Sequence, residues 1–313
     1  MKKFLPLLFI FMPQALLANP FFDQFKADKI TDDTYVIHGP REFPTVENRG
    51  FMNNPAFIVA EKSVIVIDPG SSHETGEMVL REIKKVTSKP VSHILNTHIH
   101  GDHWLANDSI KRHYPKVEII ADPRMIKKAK SGTAQEWMDR MNSLTNGITK
   151  NTVIEYPSSE AKNGDQLTIA GLTFKFYSHG IDHSGTDIMI EYVEGSTLFT
   201  GDNAAYQRIL RMNDGSFRDL VKVLDLAASL NITHYVPGHG DTGNVKIIKL
   251  QREYYDTLYN EVAKYYEEGL EDFEMKPKVA AALSKFSDWT GFDAELGKHI
   301  SLAKLEVEKA EFE

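Results

Sequence analysis

The chain has 313 residues, 42% hydrophobic and 26% charged, with a formal net charge of −8. That is ordinary globular composition, enough for one large domain or two smaller ones without covalent staples, and too acidic to suit nucleic acid or an anionic membrane. Cysteine is absent, which excludes disulfides, thiolate zinc sites, iron–sulfur clusters and a cysteine nucleophile, so any metal falls to aspartate, glutamate or the 12 histidines.

The N-terminus reads as an export signal over residues 1–18. Lys2 and Lys3 precede an apolar run from Phe4 to Leu17, and Ala18 offers a small residue for cleavage. The run is too short and too soon polar for a membrane span, and no other stretch is long enough. Periplasmic export follows as the simplest reading. Loss of the two lysines takes the net charge to −10.

Residues 19–30 read as a surface arm and Asp33 to His38 as a first strand. A loop from Arg41 to Asn54 leads to a hairpin, Ala56 to Ala60 and Ser63 to Ile67, ending in Asp68-Pro69-Gly70. Gly76 to Val86 has the apolar spacing of an amphipathic helix. Val91 to Leu95 is a strand, and Trp104 to Tyr114 has helical spacing.

Between those two lies Thr97-His98-Ile99-His100-Gly101-Asp102-His103, with four potential metal ligands in six positions. Side chains repeat every two residues in extended chain, so His98 and His100 can face one point, while Asp102 and His103 on the turn face a neighbouring one. One loop can thus serve two metal ions.

Val117 to Ala121 is a further strand. Pro123 to Leu144 reads as helix broken near Ser131-Gly132, and covering the sheet is a plainer role for it than overhanging the site. Leu167 to Ile169 and Leu172 to Tyr177 form a hairpin. Asp187 to Tyr192 and Thr197 to Phe199 are strands, followed by a loop from Asn203 to Asp214. Phe217 to Leu230 is a helix and Thr233 to Val236 a strand. Residues 245–269, 277–286 and 292–311 read as helices. Two sheets flanked by helices result, an α/β chain with a catalytic domain at 19–243 and a helical C-terminal extension at 244–313. His183, Asp202 and His239 follow strands and neighbour small residues, as the four-ligand cluster does.

His98-x-His100-x-Asp102-His103, then His183, Asp202 and His239, with Asp68 closing a strand ahead of them, resembles the metallo-β-lactamase superfamily over residues 33–243. The resemblance implies an αββα four-layer sandwich. It implies one zinc on His98, His100 and His183, a second on Asp102, His103 and His239, and Asp202 bridging the two. Asp68 then orients a ligand instead of binding metal. Two Zn²⁺ per chain imply a hydrolase in which a hydroxide shared by the metals attacks a carbonyl-type bond (ester, thioester, lactone or lactam), with Asp102 or Asp202 handling the proton. Lack of cysteine excludes the members with a thiolate ligand, and Asp202 points away from typical β-lactamases. The substrate is expected to be a small molecule, and nothing in the sequence sets an oligomeric state. An iron-dependent oxidase or dioxygenase of the same fold, or a zinc-holding module without catalysis, is the weaker alternative. Tyr206, Arg208 and Arg211 belong either to a solvated loop or to an anion-binding wall. His179 reads as structural, and Trp104 stands where related proteins often have glycine at the pocket floor.

Overall fold

The computed structural model describes residues 20–312; the segment read as an export signal lies outside them. The first sheet contains β1 (Ala27–Lys29), β2 (Thr34–Ile37), β3 (Ala56–Val59), β4 (Val64–Ile67), β5 (Val91–Leu95), β6 (Glu118–Ala121) and β7 (Ser159–Glu160), in that order across it. Its strands run antiparallel from β1 to β4 and parallel from β4 to β7. The second sheet contains β8 (Gln166–Ile169), β9 (Leu172–Tyr177), β10 (Met189–Tyr192), β11 (Thr197–Ala205) and β12 (His234–His239). Its order is β12-β11-β10-β9-β8, antiparallel except for β11 with β12.

β4 shows how the layers arise. Ile65 and Ile67 share the core between the sheets with Phe174, Ile190 and Phe199. Val64 and Val66 point the opposite way, into a core with Met78, Val79 and Ile83 of α1 (His73–Val86). Four α-helices lie between β5 and β7: α2 (Gly101–Trp104), α3 (Asn107–His113), α4 (Pro123–Lys128) and α5 (Ala134–Leu144), the last two joined by a π-helical turn at Ala129–Thr133. The outer face of the second sheet, through Leu198 and Tyr235, packs on Leu220 and Val223 of α6 (Phe217–Ser229). The same core takes in α7 (Lys246–Glu267), α8 (Asp272–Ala282) and α9 (Phe292–Ala310). The expected αββα sandwich with C-terminal helices is therefore present.

Several local expectations are corrected. The arm at 19–30 is docked from residue 20 onward, with Phe22 buried and β1 paired to β2. The helix expected from Trp104 to Tyr114 is two helices, because Ala106 turns its amide toward Gly70 O. β11 continues to Ala205, so Asp202 lies within a strand. α8 starts at Asp272, five residues ahead of Pro277, because Glu271 and Glu274 close a capping box.

Two contacts tie the last helix to the core. Glu306 of α9 takes the hydroxyl of Ser216 and the amides of Phe217 and Arg218, closing the N-terminus of α6. His299, fully buried, donates from Nε2 to Leu210 O at 2.9 Å and takes the Tyr254 hydroxyl on Nδ1 at 3.0 Å. Burial pushes its pKa down to about 4. The unfolded chain therefore binds this proton more readily. The His299 contribution is complete above about pH 6.5 and is lost as pH falls toward about 4, a span worth about 3 kcal/mol. Urea midpoints measured from pH 7.5 to 4 are expected to fall less steeply in His299→Gln than in the wild type; parallel slopes would refute this.

Candidate metal centre

The strand ends of the two sheets converge on one buried cluster. His98 and Thr97 follow β5, while His100, Asp102 and His103 open α2. His183 stands on the loop after β9, Asp202 in β11, and His239 ends β12. Asp68, at the end of β4, accepts the Thr97 amide on Oδ1 at 2.9 Å. Its Oδ2 takes the Thr97 hydroxyl at 2.6 Å and His103 Nδ1 at 2.9 Å. The Thr97 hydroxyl in turn accepts His98 Nδ1 at 3.0 Å. One carboxylate thus sets the tautomer of two imidazoles and leaves both Nε2 atoms facing the cluster. His239 is set by its own bond, Nδ1 to Met52 O at 2.7 Å.

Asp202 lies between two groups of side chains. Its Oδ1 is 3.2 Å from His103 Nε2 and 3.2 Å from His239 Nε2. Its Oδ2 is 3.5 Å from His183 Nε2 and 3.8 Å from His98 Nε2. Asp102 Oδ2 stands 3.4 Å from both His103 Nε2 and His239 Nε2. His100 Nδ1 is 3.1 Å from His183 Nε2, near the ~3.3 Å edge of a tetrahedron of nitrogens around zinc. Gly238 makes room for this: a Cβ there would lie 2.0 Å from Asp202 Oδ1.

Burial alone pushes the carboxyls of Asp102 and Asp202 up, but the imidazoles of His103 and His239 outweigh it and hold both well below the usual range. Burial, with neighbouring imidazoles, depresses His98, and takes His183 down to about 3. His103 goes the other way. Burial lowers it, yet Asp202, Asp102 and Asp68 together raise it well above the usual range. A proton there and a cation compete for the same negative charge.

The residues fit a cation. Among buried polar atoms without a hydrogen-bond partner are His98 Nε2, His103 Nε2, Asp102 Oδ2 and Asp202 Oδ1, all within this cluster. Two buried carboxyl groups, Asp102 and Asp202, line the cavity with the buried guanidinium of Arg208, while the third, Asp68, lies behind His103. Two ligand groups satisfy metal-ligand proximity: His98, His100, His183 and Asp202, and Asp102, His103 and His239. A third grouping contains Asp68, but both its oxygens are engaged by Thr97 and His103. Imidazole and carboxylate without thiolate suit Zn²⁺, Mn²⁺ or Fe²⁺.

A family model described as "Metallo-beta-lactamase superfamily" matches residues 48–239. The chain belongs to the metallo-β-lactamase superfamily. A probable metallo-hydrolase of Methanocaldococcus jannaschii is 26% identical over 201 residues, 62% of this chain and 91% of the relative. A linear primary-alkylsulfatase of a Pseudomonas species is 21% identical over 260 residues, 71% of this chain but 49% of that protein. Among solved structures, a metallo-β-lactamase from Pontibacter korlensis superposes with a TM-score of 0.57 at 16% identity, over 72% of this chain and 96% of its own. A sec-alkyl sulfatase gives 0.65 at 16% identity over 81% of this chain and 45% of its own.

Around this superfamily centre lies a cavity of about 190 Å³. Its walls come partly from places the sequence reading passed over. Phe43 enters from the loop before β3, and Arg140 and Leu144 from α5. α5 overhangs the site instead of simply covering the sheet: Trp137 packs its ring 4.8 Å from that of His100. Trp137, Arg140 and Leu144 recur at helical spacing, a signal present in the sequence. Arg208 is 3% exposed and Arg211 also lines the cavity, which settles their loop as a pocket wall. Tyr206 turns away to Trp289. His179 is exposed, and its amide donates to Asp182 Oδ2 at 2.9 Å. Trp104 forms no pocket floor; it is buried beside Leu105 and Met125, with Nε1 donating to Ile99 O.

Asp68→Asn removes the charge that holds His103 and Thr97 but keeps the shape. It is expected to weaken metal binding about 10- to 100-fold, read by competition with a chromophoric chelator at pH 7.5; unchanged affinity would refute the orienting role.

Proposed function

We propose that this chain is a periplasmic dinuclear zinc hydrolase that cleaves a carbonyl-type bond (ester, thioester, lactone or lactam) in a small molecule. The observation that carries the reading is Asp202, whose two oxygens face two separate sets of imidazoles. His98, His100 and His183 would hold one ion, and Asp102, His103 and His239 the other, with Asp202 shared. Two such ions supply Lewis acidity and lower the pKa of water from 15.7 to about 7.

The protein groups supply the rest. Asp102, anionic and facing the cavity, is placed to orient the attacking water. Asp202 keeps the two halves of the site at fixed separation. Trp137 and Phe43 supply apolar wall to the cavity beside the cluster. The signal-like pattern of residues 1–18, Lys2 and Lys3 ahead of the apolar run from Phe4 to Leu17, favours a periplasmic setting, and N-terminal sequencing of the protein recovered from periplasmic extract tests it.

A sulfate ester is the second reading. It is favoured by likeness to two alkylsulfatases in sequence and in fold and by the arginines of the pocket. The deciding experiment is a panel of ester, thioester, lactone, β-lactam and alkyl sulfate substrates with elemental analysis of the protein. Two zinc ions per chain, turnover abolished by chelation and restored by Zn²⁺, and a loss of at least 100-fold in His100→Ala are expected. Full turnover by metal-free protein would overturn the reading, and the preferred substrate class decides between carbonyl and sulfate.

A further inference from the structure

The C-terminal helices lie outside the region matched by the family model, yet they grip one wall of the pocket. Residues 207–211 carry both Arg208 and Arg211. Thr290 donates its amide to Gln207 O at 3.1 Å and accepts the Ile209 amide at 2.9 Å. His299 donates to Leu210 O at 2.9 Å. Gly291, with φ +87°, begins α9 against the Phe43 ring; a Cβ there would come within 3.1 Å of it. Both arginines lie over that same ring, at 4.8 Å for Arg208 and 4.5 Å for Arg211.

Behind Arg211 stands Glu295 of α9. It is 2% exposed, with Oε1 3.8 Å from Arg211 Nε and 2.9 Å from Lys298 Nζ. Its Oε2 has no partner. Arg208 Nε is also buried and unpartnered. Arg140 reaches the same cavity from α5, near enough to Arg211 that the two guanidiniums repel. Three guanidiniums thus gather at one cavity in a chain of net charge −8. An oxyanion would relieve that repulsion, and guanidinium forks match carboxylate, sulfate and phosphate oxygens.

We propose that the pocket holds an anionic group of the substrate on Arg211 and Arg140, and that the C-terminal extension, through Glu295 and the Thr290 clasp, is the device that positions Arg211 for it. Glu295 is a positioning residue: it aims a guanidinium and touches no substrate. This rests on the hydrolase reading for its kinetic test and on binding alone for its second test.

The kinetic arm compares 4-nitrophenyl acetate with mono-4-nitrophenyl succinate, using zinc-loaded full-length protein. The ratio of kcat/KM for the charged ester to that for the neutral one is expected to fall about tenfold in Glu295→Gln and Arg211→Ala, through KM. A merely structural role would lower both esters together and leave the ratio unchanged, which would overturn the proposal. The binding arm needs no turnover. Calorimetry with 4-phenylbutyrate, hexyl sulfate and phenyl phosphate distinguishes the three oxyanions. At least one is expected to lose about tenfold in affinity in both variants while bound zinc stays at the wild-type level. If all three bind both variants as tightly as the wild type, the proposal fails. Absence of ester turnover with arginine-dependent binding retained would count against the hydrolase reading and leave the anion site standing.

Discussion

Asp68 is the contact on which the centre depends. A single carboxylate accepts three hydrogen bonds, two from Thr97 and one from His103, and through Thr97 it also governs His98. It sits at φ +47°, a conformation of sparse population for a side chain with a Cβ. The surrounding sheet imposes that conformation: the Asp68 amide is held by Leu95 O of the neighbouring strand, and Asn53 Nδ2 holds its carbonyl. The first sheet therefore shapes the acceptor before any ligand is placed.

The second sheet must then meet the first closely. Gly201 lets β11 approach Thr97, where a Cβ would lie 2.6 Å from the hydroxyl. Asn54 spans from the first sheet to the β12 turn, bonding Pro237 O and Gly240 O through its side chain and Gly238 O through its amide. The Ile188 amide reaches Thr97 O. Two of these bonds join backbone to backbone and two come from the buried Asn54 side chain, so the two ligand groups are registered by the fold across the sandwich edge. Burying several imidazoles and carboxyl groups together costs stability, and the large apolar cores on either side of each sheet offset it.

Much of this was legible in the sequence, and for a physical reason. Continuous β-branched runs such as Val64 to Ile67 report a strand buried on both faces, and ligand residues bunch where such runs stop. Asp68, His98, His100, Asp102, His103, His183, Asp202 and His239 all come together at one place. The reading stopped where long-range packing decides. One difference is local: Pro277 suits a first helical turn but lies inside α8, because the capping box of Glu271 with Glu274, three residues apart, begins the helix earlier. Phe43 in its loop gave no periodic signal, and no local pattern links Glu295 to Arg211, which lie on separate elements. The stripe of Trp137, Arg140 and Leu144 is visible in the sequence of α5, but the surface it faces is set by the fold.

Glu306 has a consequence for how the chain reaches this state. It closes the first turn of α6 from a position 90 residues beyond Ser216. During synthesis from the N-terminus, the sandwich strands and α6 emerge first, and the amides of Phe217 and Arg218 wait uncapped until α9 arrives. The last helix thus acts as a latch on assembly. The amides that open α6 gain this partner only once α9 is in place.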